Sequence, residues 1–191
     1  MAGKTTVMLT DEQYEKIITV MFSGIGTAIL PNPRVATALE LEANTGLRIG
    51  DITKLKLSDI IKDGGRYRFD MTEEKTGKKR TFTVPDRVYV FLVKYCHEYG
   101  IDKDERMFPV TVRDVQKRLR KVCDYLGPEY DHIGTHSFRK RFASKAYEHS
   151  GHDIELVRRL LQHSSPAITS RYLGISNEKI DSVLNGCVSI I

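Results

Sequence analysis

Five residues in the sequence have side chains of the types that chemistry on a phosphodiester requires. His136 and Arg139 lie in HSFRKRF, His163 lies in LLQHSS, Tyr172 lies in SRYLGI, and Arg48 lies far upstream in TGLRIGD. Guanidinium groups can bind phosphate oxygens, imidazoles can share or transfer protons, and a phenol can attack phosphorus. We therefore take these residues as a candidate site.

Two of these segments also have simpler interpretations. Arg48 stands at the start of a short helix, where it could bind a phosphate oxygen with Asp51 orienting it, or could be a surface arginine paired with Asp51. His136 and Arg139 are three residues apart and so share one face of a helix. Phe138 shares the opposite face with a second phenylalanine and is expected in the core, which leaves the His136 face for a functional role.

His163 and Tyr172 are also ambiguous when taken alone. A histidine at a helix end could simply interact with the helix dipole. Tyr172 is one of nine tyrosines. A phenol with a pKa of about 10 is a poor nucleophile unless a base or a cationic surrounding activates it. The arginines and histidines would provide that surrounding if the fold gathers them.

A lysine in the loop EEKTGKK is a candidate proton donor. Lys75 could reach and protonate a leaving oxygen, and Lys78 and Lys79 are rivals for the same role. Each of the three could equally be a solvated loop lysine or a simple phosphate contact.

The composition is that of an ordinary globular chain. The 191 residues are 40% hydrophobic and 29% charged, which predicts one domain with a substantial core. No apolar run approaches the about 20 residues of a membrane helix, and the N-terminal segment has no secretory signal. The three cysteines show neither CxxC nor Cys/His spacing. We therefore expect free thiols, no zinc site and a cytoplasmic location.

Basic residues are concentrated in clusters, although the net charge is only +5. Clusters of this kind neutralise phosphates and release counterions, as in proteins that bind nucleic acid. The alternative for any single cluster is a solvated helix face. The clusters are Lys75, Lys78, Lys79 and Arg80; Arg113, Lys117, Arg118, Arg120 and Lys121; and Arg139, Lys140 and Arg141. Within them, the residues that we expect to contact a nucleic acid are Lys78, Lys79, Arg80, Lys117 and Lys140.

Hydrophobic periodicity and capping signals predict a mainly α-helical fold with one small antiparallel β-sheet. Helices are expected over residues 10–22, 33–44, 49–55 and 86–99, from about 112 to a stop at Gly127-Pro128, from the HSFR segment to about 149, from 153 to 161, after Ser165-Pro166, and over 177–184. Strands are expected around 60–61, 67–71 and 81–84. The first helix and the loop to residue 30 are interpreted as a lead-in to the core.

The ordered set TGLRIGD, EEKTGKK, HSFR, LLQHSS and SRY resembles the catalytic domain of the tyrosine recombinases, the phage-integrase family. The resemblance covers about residues 10–180. In that family a tyrosine attacks a DNA phosphodiester, forms a 3′-phosphotyrosyl link and releases a 5′-hydroxyl; a second 5′-hydroxyl then attacks the link. The reaction needs no ATP and no catalytic metal, because arginines offset the charge of the phosphate. The sequence has no carboxylate cluster of the kind that holds magnesium.

The resemblance implies a role for each candidate. The residues matching the family's phosphate-activating and proton-transfer positions are Arg48, Lys75, His136, Arg139 and His163. Lys75 corresponds to the general acid, and Tyr172 corresponds to the nucleophile. Asp51 would orient Arg48 or its neighbours without itself contacting the phosphate. The resemblance also implies double-stranded DNA as a partner, together with other protomers in a tetramer assembled on that DNA.

The resemblance departs from the usual integrase in one respect, since Arg48 stands too near the start for a preceding core-binding domain. We therefore expect a single catalytic domain over residues 1–191, either a fragment of a longer integrase or a small relative similar to fimbrial DNA invertases. The expected function is site-specific DNA recombination. The alternatives are a type IB topoisomerase-like enzyme that relaxes DNA and a regulatory DNA-binding relative that has lost catalysis.

Overall fold

The computed structural model describes residues 6–72, 77 and 79–175, and for Arg80 and Phe82 it describes the backbone alone. The described chain forms eight α-helices and one three-stranded antiparallel sheet, which confirms the predicted mainly helical fold class. The helices are α1 (Asp11–Ser23), α2 (Pro33–Thr45), α3 (Ile49–Ile52), α4 (Asp86–Glu98), α5 (Val112–Leu126), α6 (Thr135–His149), α7 (Ile154–Leu161) and α8 (Pro166–Leu173). The strands are β1 (Ile60–Asp63), β2 (Arg66–Thr72) and β3 (Lys79–Val84).

The chain divides into two compact units, Met1–Phe142 and Ala143–Ile191. The sequence had suggested one domain over the whole length. The boundary between the units falls inside α6, and each unit is described by itself below.

Helix α1 begins where the sequence predicts, and it contributes to the core of the first unit. The Thr10 hydroxyl accepts a hydrogen bond from the Gln13 N–H at 3.1 Å, and the Gln13 side chain accepts one from the Thr10 N–H at 3.2 Å. This reciprocal pair satisfies two N–H groups that the first turn of a helix leaves without intrahelical partners. Ile17 and Met21 are at most 1% exposed. Helix α1 is therefore part of the core, whereas the sequence had suggested a lead-in to it.

Helix α2 is the most buried helix of the first unit. Its start is capped by the Asn32 side chain, which accepts from the Val35 N–H at 3.1 Å, with Pro33 as the first helical residue. Leu39 and Ala38 are fully buried. The predicted end at Asn44 is one residue short of the observed Thr45, and α3 ends at Ile52, earlier than the predicted Leu55.

The sheet has the order β1-β2-β3, with all neighbours antiparallel. Gly64 and Gly65 form the turn between β1 and β2 at φ values of 55° and 80°, which a residue without a Cβ adopts at little cost. Phe69 lies in the middle strand, is fully buried, and joins the sheet to the helical core.

Helices α4 and α5 cover the remainder of that core. In α4 Leu92 and Tyr95 are buried, whereas Val93 is 36% exposed. Tyr89 is half-buried and stacks on Tyr67 of β2 with ring centroids 3.7 Å apart. In α5, Val115, Leu119 and Val122 are buried, and the exposed side is strongly basic.

Two cysteines, Cys96 and Cys123, are buried free thiols, as the sequence predicted. Cys187 and the predicted helix over 177–184 lie outside the described residues. Within the part of the chain that the structure describes, no helix is long and apolar enough to cross a membrane.

Candidate active site

The segment TGLR forms a tight turn that carries Arg48 from the end of α2 to the start of α3. Gly46 adopts a left-handed conformation with φ 63°, and its N–H donates to the Glu42 carbonyl at 3.0 Å. The Thr45 hydroxyl accepts from the Leu47 N–H at 3.3 Å, which closes the turn. Because Gly46 has no Cβ, it adopts this left-handed conformation and ends α2 without a steric penalty.

Arg48 is the residue immediately before α3, in an extended conformation. Its carbonyl accepts hydrogen bonds from the N–H groups of Asp51 and Ile52 at 2.9 and 3.0 Å. The Arg48 side chain is half-buried, whereas Asp51 is only 3% exposed. Asp51 is therefore buried beside the turn. A surface ion pair with Arg48, the simpler interpretation of the sequence, would have left the aspartate exposed.

Arg139 lies in α6, within the first unit, and contacts the same turn. It is 2% exposed, and its guanidinium Nη1 donates a hydrogen bond to the Gly46 carbonyl. These two residues are 93 positions apart in the sequence. The contact brings the guanidinium of Arg139 to the turn that holds Arg48, two residues from it in the chain.

The first half of α6 is held against α1 by three kinds of contact. Phe138 is fully buried and meets the Tyr14 ring edge-on, with centroids 6.1 Å apart. The Arg141 guanidinium lies over the Tyr14 ring at 3.9 Å and pairs with Asp11 at 2.7 Å. These contacts set the rotation of the helix, so that Arg139 points inward, whereas His136, one turn earlier, is exposed.

His163 is in the second unit, immediately after α7. Its ring Nδ1 lies 3.0 Å from the Thr169 hydroxyl, and Thr169 is fully buried. Its carbonyl accepts from Arg158 Nη1 at 2.9 Å, and Arg158 is held by Glu155 through two contacts of 2.7 Å. The hydrogen bonds from Arg158 and Arg159 lower the pKa of Glu155 to about 2.

Tyr172 is in the last turn of α8 and packs on His163. The two rings meet edge-on with centroids 5.1 Å apart. Thr169 is three residues before Tyr172, so both lie on one face of α8. The phenol is half-buried. The second unit thus brings together the predicted second histidine and the predicted nucleophile.

The structure describes only some of the lysines that the sequence predicted to act in catalysis or DNA binding. Lys75 and Lys78 lie outside the described residues, and Lys79 is the exposed first residue of β3. Lys117 is exposed on α5. The Lys140 ammonium donates to the Thr6 carbonyl, which fastens the N-terminal segment to α6, and burial lowers its pKa. The Arg80 side chain is not described. DNA binding by these residues remains a prediction.

Sequence reasoning missed two residues of the site, Glu42 and Thr169. Glu42 was a plausible helix-surface acid, but it is fully buried and its pKa is raised well above its ordinary value by burial. Thr169 contacts His163 through a side chain that no periodicity singled out. The only signal for Thr169 was its spacing of three from Tyr172. Within the described ranges, no group of three His, Cys, Asp or Glu side chains could hold a metal ion.

Comparison with known proteins places this architecture in a family. The model of the phage integrase family matches residues 8–179, and the chain belongs to that family. The "Probable integrase/recombinase YoeC" of Bacillus subtilis is 32% identical over 140 residues, which cover 71% of this chain and 74% of that protein. The tyrosine recombinase XerD of Rickettsia prowazekii is 24% identical over 79% of this chain.

Solved structures show the same fold. The catalytic domain of bacteriophage HP1 integrase superimposes with a TM-score of 0.62 at 19% identity, covering 94% of each chain. A lambda integrase dimer bound to a COC′ core site superimposes with a TM-score of 0.65 at 26% identity, covering 87% of this chain and 58% of that one. The chain spans 54% of the Rickettsia XerD.

Proposed function

We propose that this chain cleaves and rejoins DNA at specific sites through a 3′-phosphotyrosyl intermediate, with Tyr172 as the nucleophile. The observation that carries the proposal is the hydrogen bond from Arg139 to the Gly46 carbonyl, which joins the HSFR helix to the turn of Arg48. Membership of the phage integrase family supports it independently.

Each residue has a defined task in the proposed reaction. Arg48 and Arg139 bind the non-bridging oxygens of the scissile phosphate and offset the charge that develops there. His136 and His163 hydrogen-bond the phosphate or accept the phenol proton. The Tyr172 oxygen attacks phosphorus, the bond to the 5′-oxygen breaks, and a proton is delivered to that oxygen. Attack by a 5′-hydroxyl on the phosphotyrosine reverses these steps and releases Tyr172.

The pairing of His163 with Thr169 supports a particular orientation of the imidazole. With Nδ1 engaged by the Thr169 hydroxyl, Nε2 is the nitrogen that can face a substrate. The edge-on packing of Tyr172 on the same ring keeps the phenol beside this histidine. The arrangement suits a histidine that contacts the phosphate while the neighbouring phenol attacks it.

Covalent capture on DNA of random sequence tests the proposal and selects the DNA target at the same time. The probe is a pool of nicked duplexes with randomised sequence around the nick, on which cleavage releases a short strand and traps the protein–DNA adduct. Adducts are isolated under denaturing conditions in the presence of EDTA, and the DNA is sequenced. We expect a covalent complex enriched in one sequence. No adduct with any sequence would favour a DNA-binding relative. A chain that forms the adduct but, on a supercoiled plasmid carrying the selected sequence, relaxes supercoils without recombining the DNA would favour a topoisomerase.

Tyr172→Phe separates catalysis from binding. We expect no detectable adduct on the selected substrate, because the nucleophilic oxygen is missing, while the Kd for that DNA stays within about 2-fold, since phosphate contacts provide most of the affinity. Comparable loss of DNA binding would show that Tyr172 is structural.

The general acid can be identified by chemical rescue. We propose that Lys75 protonates the leaving 5′-oxygen. Lys75→Ala should slow cleavage by about 100-fold or more. A 5′-bridging phosphorothiolate should restore most of the rate, because a thiolate leaves without protonation. Rescue in Lys78→Ala or Lys79→Ala instead would transfer the role to that lysine.

We also propose that double-stranded DNA and further protomers are the partners of this chain. Two solved neighbours are described as a lambda integrase dimer on a core site and a lambda integrase tetramer on a Holliday junction. Sedimentation of the chain with and without the selected DNA should show assembly that depends on DNA. A complex that never exceeds one protomer per site would contradict this proposal.

A further inference from the structure

Glu42 is an acid buried at the C-terminal end of α2, inside the first unit. It is 0% exposed, and neither carboxyl oxygen has a well-aligned hydrogen-bond partner among the described residues. Complete burial of a carboxyl group is unfavourable, and an apolar side chain of similar volume is often more stabilising at such a position. The location of Glu42 therefore calls for a role other than stabilising the core.

The groups that act on Glu42 belong to the candidate site. The Arg139 guanidinium and the Ile49 backbone N–H both favour its charged form, against the larger effect of burial, which raises its pKa. The Glu42 carbonyl accepts from the Gly46 N–H, and the Gly46 carbonyl accepts from Arg139. Glu42 thus interacts with Arg139 through its carboxyl group and with the turn of Arg48 through its backbone.

Glu40 provides a contrast on the same helix. It lies two residues earlier, and one of its carboxyl oxygens is also shielded without a hydrogen-bond partner among the described residues. Burial alone raises the pKa of Glu40, and Arg139 has no resolved effect on it. Two acids on one helix therefore share partial or complete burial, but Glu42 alone of the two interacts with the arginine.

We propose that Glu42 is a positioning residue for Arg139, which holds the guanidinium against the Gly46 carbonyl so that its remaining N–H groups face the scissile phosphate. Fork-like binding of a phosphate requires the guanidinium plane to be fixed, and Arg139 has several rotatable bonds between its backbone and that plane. Catalytic groups must be held within about 0.5 Å of their productive geometry. This inference rests on the proposed function for its catalytic consequence, whereas the orientation of Arg139 can be measured without it.

The test compares Glu42→Leu, Glu42→Gln and the control Glu40→Leu in the full chain. In Glu42→Leu we expect about 100-fold slower adduct formation on the selected DNA, together with a lower melting temperature, because the buried Arg139 guanidinium loses its acidic partner. DNA affinity should change by less than about 2-fold. Glu42→Gln keeps the shape and one acceptor oxygen, so it should restore adduct formation to within about 10-fold of the wild type. Glu40→Leu should cleave like the wild type.

The orientation of Arg139 is read from its side-chain Nε–H resonance by NMR, assigned through its loss in Arg139→Lys. A guanidinium held in the core should give a dispersed signal that exchanges slowly with water. We expect this exchange to become at least about 10-fold faster in Glu42→Leu, the signal to shift in Glu42→Gln, and no change in Glu40→Leu.

The two measurements separate failure of this inference from failure of the proposed function. An unchanged Arg139 signal in both Glu42 variants overturns the positioning role, whether or not the wild type cleaves DNA. An Arg139 signal that stays unchanged while melting temperature and cleavage fall together in Glu42→Leu also overturns it, because that pattern is the one expected of a structural residue. A shifted Arg139 signal in a wild-type chain that forms no adduct supports the positioning role and contradicts the recombinase chemistry. If Glu42→Leu does not fold, the Arg139 signal in Glu42→Gln alone tests the positioning role: a shifted signal supports the role and an unchanged signal overturns it.

Discussion

At the scale of single residues, Gln162 occupies a conformation that suits glycine. It ends α7 with φ 53° and ψ 41°, one position before His163. Its side-chain oxygen is shielded from solvent with no hydrogen-bond partner among the described residues. The left-handed conformation costs a residue with a Cβ about 1 kcal/mol, and the shielded amide adds to that cost. The chain thus carries local strain next to a candidate catalytic histidine.

Gln162→Gly should therefore stabilise the protein. We expect the free energy of unfolding to rise by about 0.5–1 kcal/mol, because relief of strain exceeds the additional entropy of glycine in the unfolded state. Chemical denaturation measures the change, and Gln162→Ala, which keeps the strained conformation, is the matched control. Equal stability of the glycine and alanine variants would show that the backbone at this position is not strained.

Glu42 predicts a specific pH dependence of stability. Its pKa in the folded chain is raised well above the ordinary value, mainly by burial, with Arg139 opposing the shift. Such a group contributes its full stability below the unfolded pKa, and that contribution is lost as pH rises through the folded pKa. Stability in the wild type should thus fall relative to Glu42→Gln as pH increases above about 4.5.

The measurement is the unfolding free energy of both proteins between about pH 4 and pH 8. The difference in unfolding free energy should shift in favour of Glu42→Gln as the pH rises above the unfolded pKa, and it should stop changing once the pH has passed the folded pKa. A difference that does not change with pH would mean that Glu42 does not titrate abnormally in the folded chain.

At the scale of elements, two helices begin with reciprocal capping boxes. Thr10 and Gln13 form one, and in the other the Thr111 hydroxyl accepts from the Asp114 N–H at 3.1 Å while the Asp114 carboxylate accepts from the Thr111 N–H at 3.2 Å. The Gln13 amide also donates to the Glu129 carbonyl at 3.1 Å, so the first cap is tied to the segment after α5. These local bonds decide where α1 and α5 start.

Removing either threonine hydroxyl should destabilise the chain. We expect Thr10→Ala and Thr111→Ala each to lower the free energy of unfolding by about 1 kcal/mol, because an N–H of the first turn loses its acceptor. Serine at either position keeps the acceptor and serves as the control. Alanine and serine variants of equal stability would contradict the capping role, and denaturant titration distinguishes these outcomes.

At the scale of the whole molecule, the exposed basic side of α5 should contribute to DNA affinity through counterion release. Replacing Lys117 by glutamine should weaken binding and reduce the slope of log K against log salt by about 0.9, one phosphate contact. Lys16→Gln, at an exposed lysine outside the basic clusters, should leave the slope unchanged. Titrations of fluorescent DNA at several salt concentrations measure both. Equal slopes for the two variants would remove α5 from the DNA-binding surface.

Substitution of Lys140 should affect stability and not the salt dependence of DNA binding, in contrast to substitution of Lys117. Because its ammonium donates to the Thr6 carbonyl, we expect Lys140→Gln to lower the melting temperature and to leave the salt slope within error of the wild type. A reduced slope would instead support the DNA contact that the sequence suggested. Only the folded structure separates these two lysines, since both stand in basic clusters of the sequence.

The sequence by itself determined the elements and the identity of most candidate residues. Caps such as Thr10-x-x-Gln13 and Thr111-x-x-Asp114 are local, so the starts of α1 and α5 were predictable. The order of the five short segments was sufficient to indicate the family. Helix ends were less predictable, since α3 ends at Ile52 and the sequence pattern extended it to Leu55.

The tertiary structure alone decided which polar groups are buried and what they contact. Arg139 reaches the Gly46 carbonyl because the contacts between α6 and α1 set the rotation of α6, and no spacing in the sequence encodes that rotation. Glu42 has the local sequence of a surface acid, yet packing places it in the core beside Arg139. Periodicity reports which face of a helix is apolar; the neighbour of each side chain is set by long-range packing between segments far apart in the chain.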